Sequence, residues 1–461
     1  MLTRPYTRSH QNVSIPEFLP KTGVGGREPV SRLFTRGNSA RAWMYALLVS
    51  FVVSHQALGQ GAQPSSWQTI RARFEASNPT LLAAKTNIDE ARAQEITAYL
   101  RPNPQFTMTV DGTQIAPNRG IWQPFTGTFE SPAISYLHER QHKRQLRLDS
   151  AKHDTTIEQW DYADLNRTLL FSVRSAFVST LQAKAVLELA HDNLAYYDHV
   201  LEISRDRFSA GDLSRVDLDR LELQRVQYES DVQTAEVNLR TAKIQLLTFL
   251  NDRTPIDQFD VTGTYDYSDQ LLSRDEYRKL ALDGRPDLKA AIEGVAKAQT
   301  DHQLAIANGS TDPTFSAWYT HNSSNNNPFG LNTLGVSVSV PLRIFDRNQG
   351  EKLRTQLDVS RSQELREATL ATVLSDVDSG YATLESNLNL LRPYKQKYLA
   401  QATRVRDTIF FSYQHGGASL LDFINAQSEY RAVRLSYVNL IESYLTSAAQ
   451  LNMAVGQEVI P

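Results

Sequence analysis

Phe208-Ser209-Ala210-Gly211-Asp212-Leu213-Ser214-Arg215-Val216-Asp217 is answered by Tyr413-Gln414-His415-Gly416-Gly417-Ala418-Ser419-Leu420-Leu421-Asp422. An aromatic residue, a Gly, a Ser and an Asp return at the same spacing, 205 positions later. Residues 78–108, beginning Asn78-Pro79-Thr80-Leu81, return as 285–317, beginning Arg285-Pro286-Asp287-Leu288, at an offset of 207. A near-constant offset across separate segments marks a duplicated structural unit. Gly211 and Gly416 stand where a helix end needs a left-handed residue, and Ser214 and Ser419 where the next helix needs an N-cap. Each motif therefore reads as the tight tip of a helical hairpin.

Outward from the tips, each copy reads helix, two strands, very long helix, tip, long helix. Leu137 to Phe208, and Asn348 to Tyr413 apart from Pro393, run about seventy residues without interior proline. That is on the order of 100 Å of helix, a length suited to coiled-coil or tubular packing. The return helices run from Ser214 to Asn251 and from Ser419 to Gly456. In the first, Leu218, Leu221, Val226, Val232, Val237, Ile244, Leu246 and Leu247 form the expected apolar stripe.

Ahead of each long helix the period changes to two. Phe106, Met108 and Val110 alternate with Thr107, Thr109 and Asp111, and a return strand is expected over Phe125–Ala133. Phe315, Ala317 and Tyr319 alternate with Ser316 and Thr320, with Trp318 breaking the pattern. Leu334, Val336, Val338 and Val340 alternate with Gly335, Ser337 and Ser339. Such strands have one apolar and one polar face, and about ten residues cross a bilayer at a tilt. A water-filled transmembrane barrel needs this alternation, because every backbone group must pair within its wall. Ordinary surface hairpins would show the same pattern. Trp122, Tyr136, Trp318 and Tyr319 are candidates for an interfacial aromatic belt.

The expected organisation is a leader and signal peptide over 1–59, a first repeat over 60–251, a linker over 252–284 and a second repeat over 285–461. Within the repeats, strands are expected at about 104–133 and 313–341, and long helical hairpins at about 137–251 and 346–456. The signal reading rests on the apolar run Ala42–Val53, too short to span a bilayer, between Arg36 and Arg41 and the small-residue site Ala57-Leu58-Gly59. Of 461 residues, 41% are hydrophobic and 21% charged, enough for a sizeable core. Without residues 1–59 the chain carries 41 basic and 49 acidic residues, net −8. No basic excess remains to hold a phosphate backbone, so nucleic acid is not an expected partner. The absence of cysteine excludes disulfides, thiolate metal sites and a Cys-linked lipid anchor.

Val340-Pro341-Leu342-Arg343-Ile344-Phe345-Asp346-Arg347-Asn348-Gln349-Gly350 carries a more specific signal. It resembles the strand-to-helix junction of the TolC-type outer-membrane efflux proteins, in their heavy-metal (CzcC-like) branch, and nearly the whole chain after the leader resembles that family. Pro341 ends the strand, Asp346 or Asn348 can cap the helix, and Arg343 and Arg347 sit where the wall leaves lipid. Ser131-Pro132 through Arg140, Lys143, Arg144 and Arg147 resembles the first copy's junction. The resemblance implies a mostly α protein with a transmembrane β-barrel. Four strands per chain would join in a homotrimer to make twelve, continued by a periplasmic α-helical tube. It implies a passive outer-membrane exit duct with no cofactor and no catalysis. The expected partners are a periplasmic adaptor protein, an inner-membrane transporter of the resistance–nodulation–division type, and outer-membrane lipid. Asp422, and its counterpart Asp217, match the position of acidic residues that narrow the periplasmic aperture. A first-turn acid favoured by the helix dipole is the plainer reading of both. A second acidic position of the family is Asn425 here. Gly211, Asp212, Leu213, Ser214, Gly416, Gly417, Ala418 and Ser419 are the expected adaptor contacts. The exported substrate class follows the resemblance to divalent cations, with drug efflux or type I protein secretion as alternatives.

Two other classes compete. His138-Glu139-Arg140-Gln141-His142 matches the zinc-hydrolase pattern H-E-x-x-H, in which two His on one helix face bind zinc and the Glu serves as base. Its setting among Lys143, Arg144 and Arg147 is unlike an apolar zinc helix, and no third ligand is evident. A periplasmic coiled-coil scaffold would explain the long helices but not the paired alternating strands.

Overall fold

The computed structural model describes residues 64–125, 127–322 and 331–460; the expected leader and signal peptide lie outside them. Helices α1 (Trp67–Ser77) and α2 (Pro79–Tyr99) lead into strands β1 (Gln105–Asp111) and β2 (Phe129–Leu137). Helix α3 (Lys143–Ser209) has 67 residues, about 100 Å, and turns at the first tip into α4 (Arg215–Phe249). After a linker holding α5 (Arg274–Gly284), the second copy follows as α6 (Pro286–Asn308), β3 (Thr314–Asn322) and β4 (Asn332–Ser339). It continues through α7 (Gln349–Pro393), α8 (Leu399–Gln414) and α9 (Leu420–Val455).

Local chemistry sets these bounds. Pro79 and Pro286 occupy the first turns of α2 and α6, where the missing N–H costs no helical bond. The second long helix is divided at Pro393, which cannot donate and crowds the preceding turn. A π-helical turn, Tyr394–Tyr398, absorbs it.

The four strands form one antiparallel sheet in the order β1-β2-β3-β4. Its register aligns Phe106 with Ile134, Ile134 with Ala317 and Ala317 with Val336. The adjacent row runs Gln105–Ser135–Ser316–Ser337. Direct antiparallel partners share a face, so one face carries Phe106, Met108, Ile134, Phe315, Leu334, Val336 and Val338, and the other is polar. Val336 is 77% exposed and Leu334 79%, too apolar a surface to leave in water. No helix among the described residues is long and apolar enough to cross a membrane.

β2 departs from expectation: it begins and ends four residues later than Phe125–Ala133, and Pro132 is inside it rather than at the junction. Pro132 pairs with Met108, but the ladder to β3 skips residues 131 and 132. The missing N–H costs a bond on that side, and the Ser131 and Thr320 hydroxyls, 3.0 Å apart, bridge the gap. Trp318 breaks the alternation as expected, an aromatic residue at a polar-face position. It lies on the polar face against Gly335, where an added Cβ would fall 2.3 Å from the indole, so it is not part of an outer aromatic belt. Gly335→Val should therefore displace Trp318 and destabilise the sheet by about 1–3 kcal/mol, read as a lower urea midpoint; an unchanged midpoint would refute the close contact.

The helices pack lengthwise, α3 touching α2, α4, α6 and α9. The core lies in patches along the bundle. Trp67, Phe74, Val173, Phe177, Leu246 and Leu250 serve the first copy, and Tyr277, Val373, Leu384, Leu388, Tyr444 and Leu451 the second. The predicted stripe of α4 divides. Leu218, Leu221, Val232, Leu246 and Leu247 are buried, while Val226, Val237 and Ile244 stay exposed in the single chain.

Candidate functional site

The two tips close in the same way. At the first, the Gly211 N–H donates to Phe208 O at 3.0 Å and the Asp212 N–H to Arg207 O at 2.8 Å. At the second, the Gly416 N–H donates to Tyr413 O at 3.2 Å and the Gly417 N–H to Ser412 O at 2.8 Å. Gly211 and Gly416 are left-handed, φ 84° and 77°, which only glycine adopts without cost. Ser214 Oγ then accepts from the Asp217 N–H at 3.1 Å, and Ser419 Oγ from the Asp422 N–H at 3.2 Å. The Asp422 carboxylate accepts in return from the Ser419 N–H at 3.0 Å and its hydroxyl at 2.7 Å, a complete capping box. Those bonds hold Asp422 below the ordinary carboxylate range, so it is ionised at neutral pH. Asp217 accepts the Ser214 hydroxyl at 2.8 Å. Both candidate gate acids are thus first-turn caps; Asp422 is exposed and Asp217 partly so.

The tips pack against one another. Tyr413 stacks on Phe423 with centroids 5.4 Å apart, and Phe410 lies 5.6 Å from Phe423. Tyr197 and Tyr228 stack at 4.5 Å beside them, in a core that includes Val200, Leu201, Leu218 and Leu221. Polar links tie first copy to second: Arg207 Nη1 donates to Tyr413 O at 3.0 Å, and Arg431 pairs with Asp231. Arg406 covers the rings of Tyr196 and Tyr430 at 4.8 and 4.1 Å. Burial pushes the Tyr196 phenol up to about 12, against the pull of Arg406, so it stays neutral. Of the eight expected contact residues, Gly211, Asp212, Ser214, Gly416, Gly417 and Ser419 are exposed. Leu213 and Ala418 instead turn toward the shared core. Val216 and Leu421, at matching positions of the two helix starts, project apolar side chains to solvent, 61% and 66% exposed; sequence reasoning passed over them, although their equivalence was there to see.

At the far end, the second junction is bound to itself. The Asn348 N–H donates to Asp346 Oδ1 at 2.8 Å, and the Arg347 N–H to Gln349 Oε1 at 2.8 Å. Gln349 Nε2 donates to Phe345 O at 3.2 Å, and Asn348 Nδ2 to Ala305 O at 2.8 Å. Asn348 stands at the N-cap position but is left-handed, φ 61°, and its side chain does not cap. It instead fixes the start of α7 to α6. Gly350 is the second residue of that helix, and Pro341, Leu342, Ile344 and Phe345 are exposed beside it.

The first junction overturns the H-E-x-x-H reading. The long helix begins at Lys143, and Gln141 and His142 are both left-handed, φ 57° and 56°. His138 and His142 therefore share no helix face. Glu139 is committed to Arg147, at 2.5 and 2.9 Å. Among the described residues no group of three His, Asp or Glu is placed to hold a metal ion.

Comparison with known proteins gives one family. The outer membrane efflux protein family matches residues 72–252 and 278–457, the two copies in turn. The cobalt-zinc-cadmium resistance protein CzcC of Cupriavidus metallidurans is 21% identical, covering 86% of this chain and 91% of its own length. The pyoverdine export outer membrane protein OpmQ of Pseudomonas aeruginosa is 25% identical, covering 68% of this chain and 66% of its own length. Among solved structures, CusC superposes with a TM-score of 0.71 at 17% identity, over 86% of this chain and 93% of that one. VceC of Vibrio cholerae does so at 0.68 and 16%, over 85% and 96%.

Proposed function

The chain belongs to the outer membrane efflux protein family, and from that premise we propose that three copies of it form a duct for divalent heavy-metal cations. Its place is the outer membrane, and its function is that of an exit duct for an efflux pump. Members of the family form trimeric channels that work with adaptor proteins and inner-membrane pumps.

One observation carries the trimer: a four-stranded sheet with one apolar and one polar face, whose edges β1 and β4 have no further partner strand among the described residues. Four strands are too few to close, whereas twelve from three chains form a barrel wide enough for a lumen. The apolar face meets lipid and the polar rows line water. The cation reading rests on CzcC, whose name records cobalt, zinc and cadmium resistance, and on the acidic balance of the chain. The paired tips are the adaptor-binding end, with Val216 and Leu421 as apolar contacts. The Arg207–Tyr413 and Arg431–Asp231 links hold the two hairpins together in the closed state.

In this reading Asp422 and the partly exposed Asp217 face the aperture, six carboxylates in a trimer. Replacing both with Asn keeps a side chain able to cap while removing that charge. The double variant should give purified trimers of normal stability that have lost cation-over-anion selectivity in planar bilayers. Unchanged selectivity would exclude the aperture role. Loss of the gene should sensitise the host to cobalt, zinc or cadmium; sensitivity confined to organic compounds would overturn the metal assignment and leave the duct.

A further inference from the structure

Away from both sheet and tips, α1, the middle of α3 and the last turn of α9 border a cavity of about 300 Å³ that is open to solvent on one side. Asn166, Leu170 and Arg174 line it at four-residue steps along α3, so its two polar ends lie about 12 Å apart. Between them the wall is apolar: Trp67, Leu170, Phe171 and Met453.

Three arginines border this space, and two are committed. Arg167 pairs with Asp164 at 2.6 Å and donates to Met453 O at 2.5 Å. Arg71 pairs with Glu75 and Glu458 at 3.0 Å each. Glu458 also accepts the Trp67 Nε1–H at 3.0 Å. Arg174 makes no direct ion pair among the described residues: its guanidinium lies over the rings of Trp67 and Phe177, at 4.6 and 5.9 Å, and Glu458, already bound to Arg71 and Trp67, attracts it only at longer range. At the opposite end, Asn166 Oδ1 is buried with no hydrogen-bond partner. A buried polar atom left in this condition is costly, and Asn166 and Arg174 together set the chemistry of a ligand that would fit.

We propose that this cavity binds a small amphipathic carboxylate, its anion on Arg174, its apolar body along Leu170 and Met453, and a donor group at Asn166. A single uncommitted cation favours a monoanion; a phosphate dianion would leave one charge uncompensated in a partly buried site. A span of about 12 Å fits an unbranched chain of roughly ten carbons, in a volume typical of small-ligand sites. The occupant joins α3 to the end of α9, where Arg167 already holds Met453.

The test uses 10-hydroxydecanoate and decanoate as probes, with calorimetry on the full-length trimer in non-ionic detergent. Both should bind saturably, the hydroxy acid several-fold more tightly, and decylamine not at all. Arg174→Gln should weaken both acids at least tenfold, with Arg174→Lys recovering part of the loss. Asn166→Ala should erase the preference for the hydroxy acid while leaving decanoate unchanged. Equal binding to wild type and Arg174→Gln would overturn the site, as partition into detergent or binding elsewhere. Dissociation of Arg174→Gln into monomers would overturn it too, because Arg174 would then be paired across a subunit contact.

Discussion

Val336→Arg is expected to abolish insertion of the protein into the outer membrane. Val336 lies midway along β4 and belongs to the apolar row Phe106–Ile134–Ala317–Val336, and it is 77% exposed in the single chain. An arginine on the lipid face near the bilayer midplane costs about 2–4 kcal/mol. A trimer carries it three times, so the total is roughly 6–12 kcal/mol, comparable with the whole stability of many folded proteins. The control is the next residue. Ser337 belongs to the polar row Gln105–Ser135–Ser316–Ser337, so Ser337→Arg should insert normally and narrow the lumen. Heat-modifiable trimers in isolated outer membranes report the outcome. If instead Val336→Arg inserts and Ser337→Arg fails, the faces have been assigned wrongly, because a slip of one residue exchanges them.

That contrast was legible in the sequence for β1, β3 and β4, where polar and apolar residues alternate over most of each strand. It was not legible for β2. Its stretch Phe129-Glu130-Ser131-Pro132-Ala133 holds a proline and a glutamate, and its limits come from pairing with β1 and β3, 18 to 30 and 177 to 193 residues away. The tips were legible because their logic is local: a left-handed Gly, then a Ser cap within three residues. The contacts that bind one tip to the other were not. Arg207 reaches Tyr413 and Asp231 reaches Arg431 across some 200 residues, and neither end of such a pair differs from any solvated helical charge. The H-E-x-x-H pattern failed for a related reason. Its meaning depends on helical geometry, and two left-handed residues sit where that helix had to be.

Comparison of the copies identifies the other residue with a large expected effect. Asn78 precedes α2 and Arg285 precedes α6, 207 positions apart. Asn78 Nδ2 donates to Phe249 O at 3.0 Å, on the last turn of α4. Arg285 Nη1 donates to Ala454 O at 3.3 Å, on the last turn of α9. The two copies thus close the same joint, one with a neutral amide and one with a buried guanidinium. Left-handed Asn251 and Gly456 follow those turns at matching positions, φ 47° and 87°. The charged solution raises the stakes. Arg285 is 2% exposed, grips Asp287 through two bonds of 2.9 and 2.6 Å, and holds Asp376 of α7 at 2.7 Å. Arg285→Ala takes the nearest cation from two carboxylates; breaking a fully buried pair costs about 3–5 kcal/mol, an upper bound here because the Asp287 and Asp376 side chains are 25% and 43% exposed. Arg278→Ala, which opens the more exposed pair with Asp378, should cost only about 0–1 kcal/mol.

The pH dependence separates lost charge from lost packing. Burial opposes ionisation of Asp287, but Arg285 outweighs it and holds the acid below the ordinary carboxylate range. A depressed acid contributes stability that is present above its unfolded value, about 3.9, and is lost as pH falls through the folded value. In Arg285→Ala the desolvation of Asp287 remains while its nearest cation is gone, so Asp287 moves toward the protonated form. The deficit of the variant should therefore be largest at neutral pH and shrink below about pH 4. Urea midpoints of purified trimers at pH 7 and pH 4 measure it. A deficit independent of pH would mean that Arg285 acts through its packing rather than its charge.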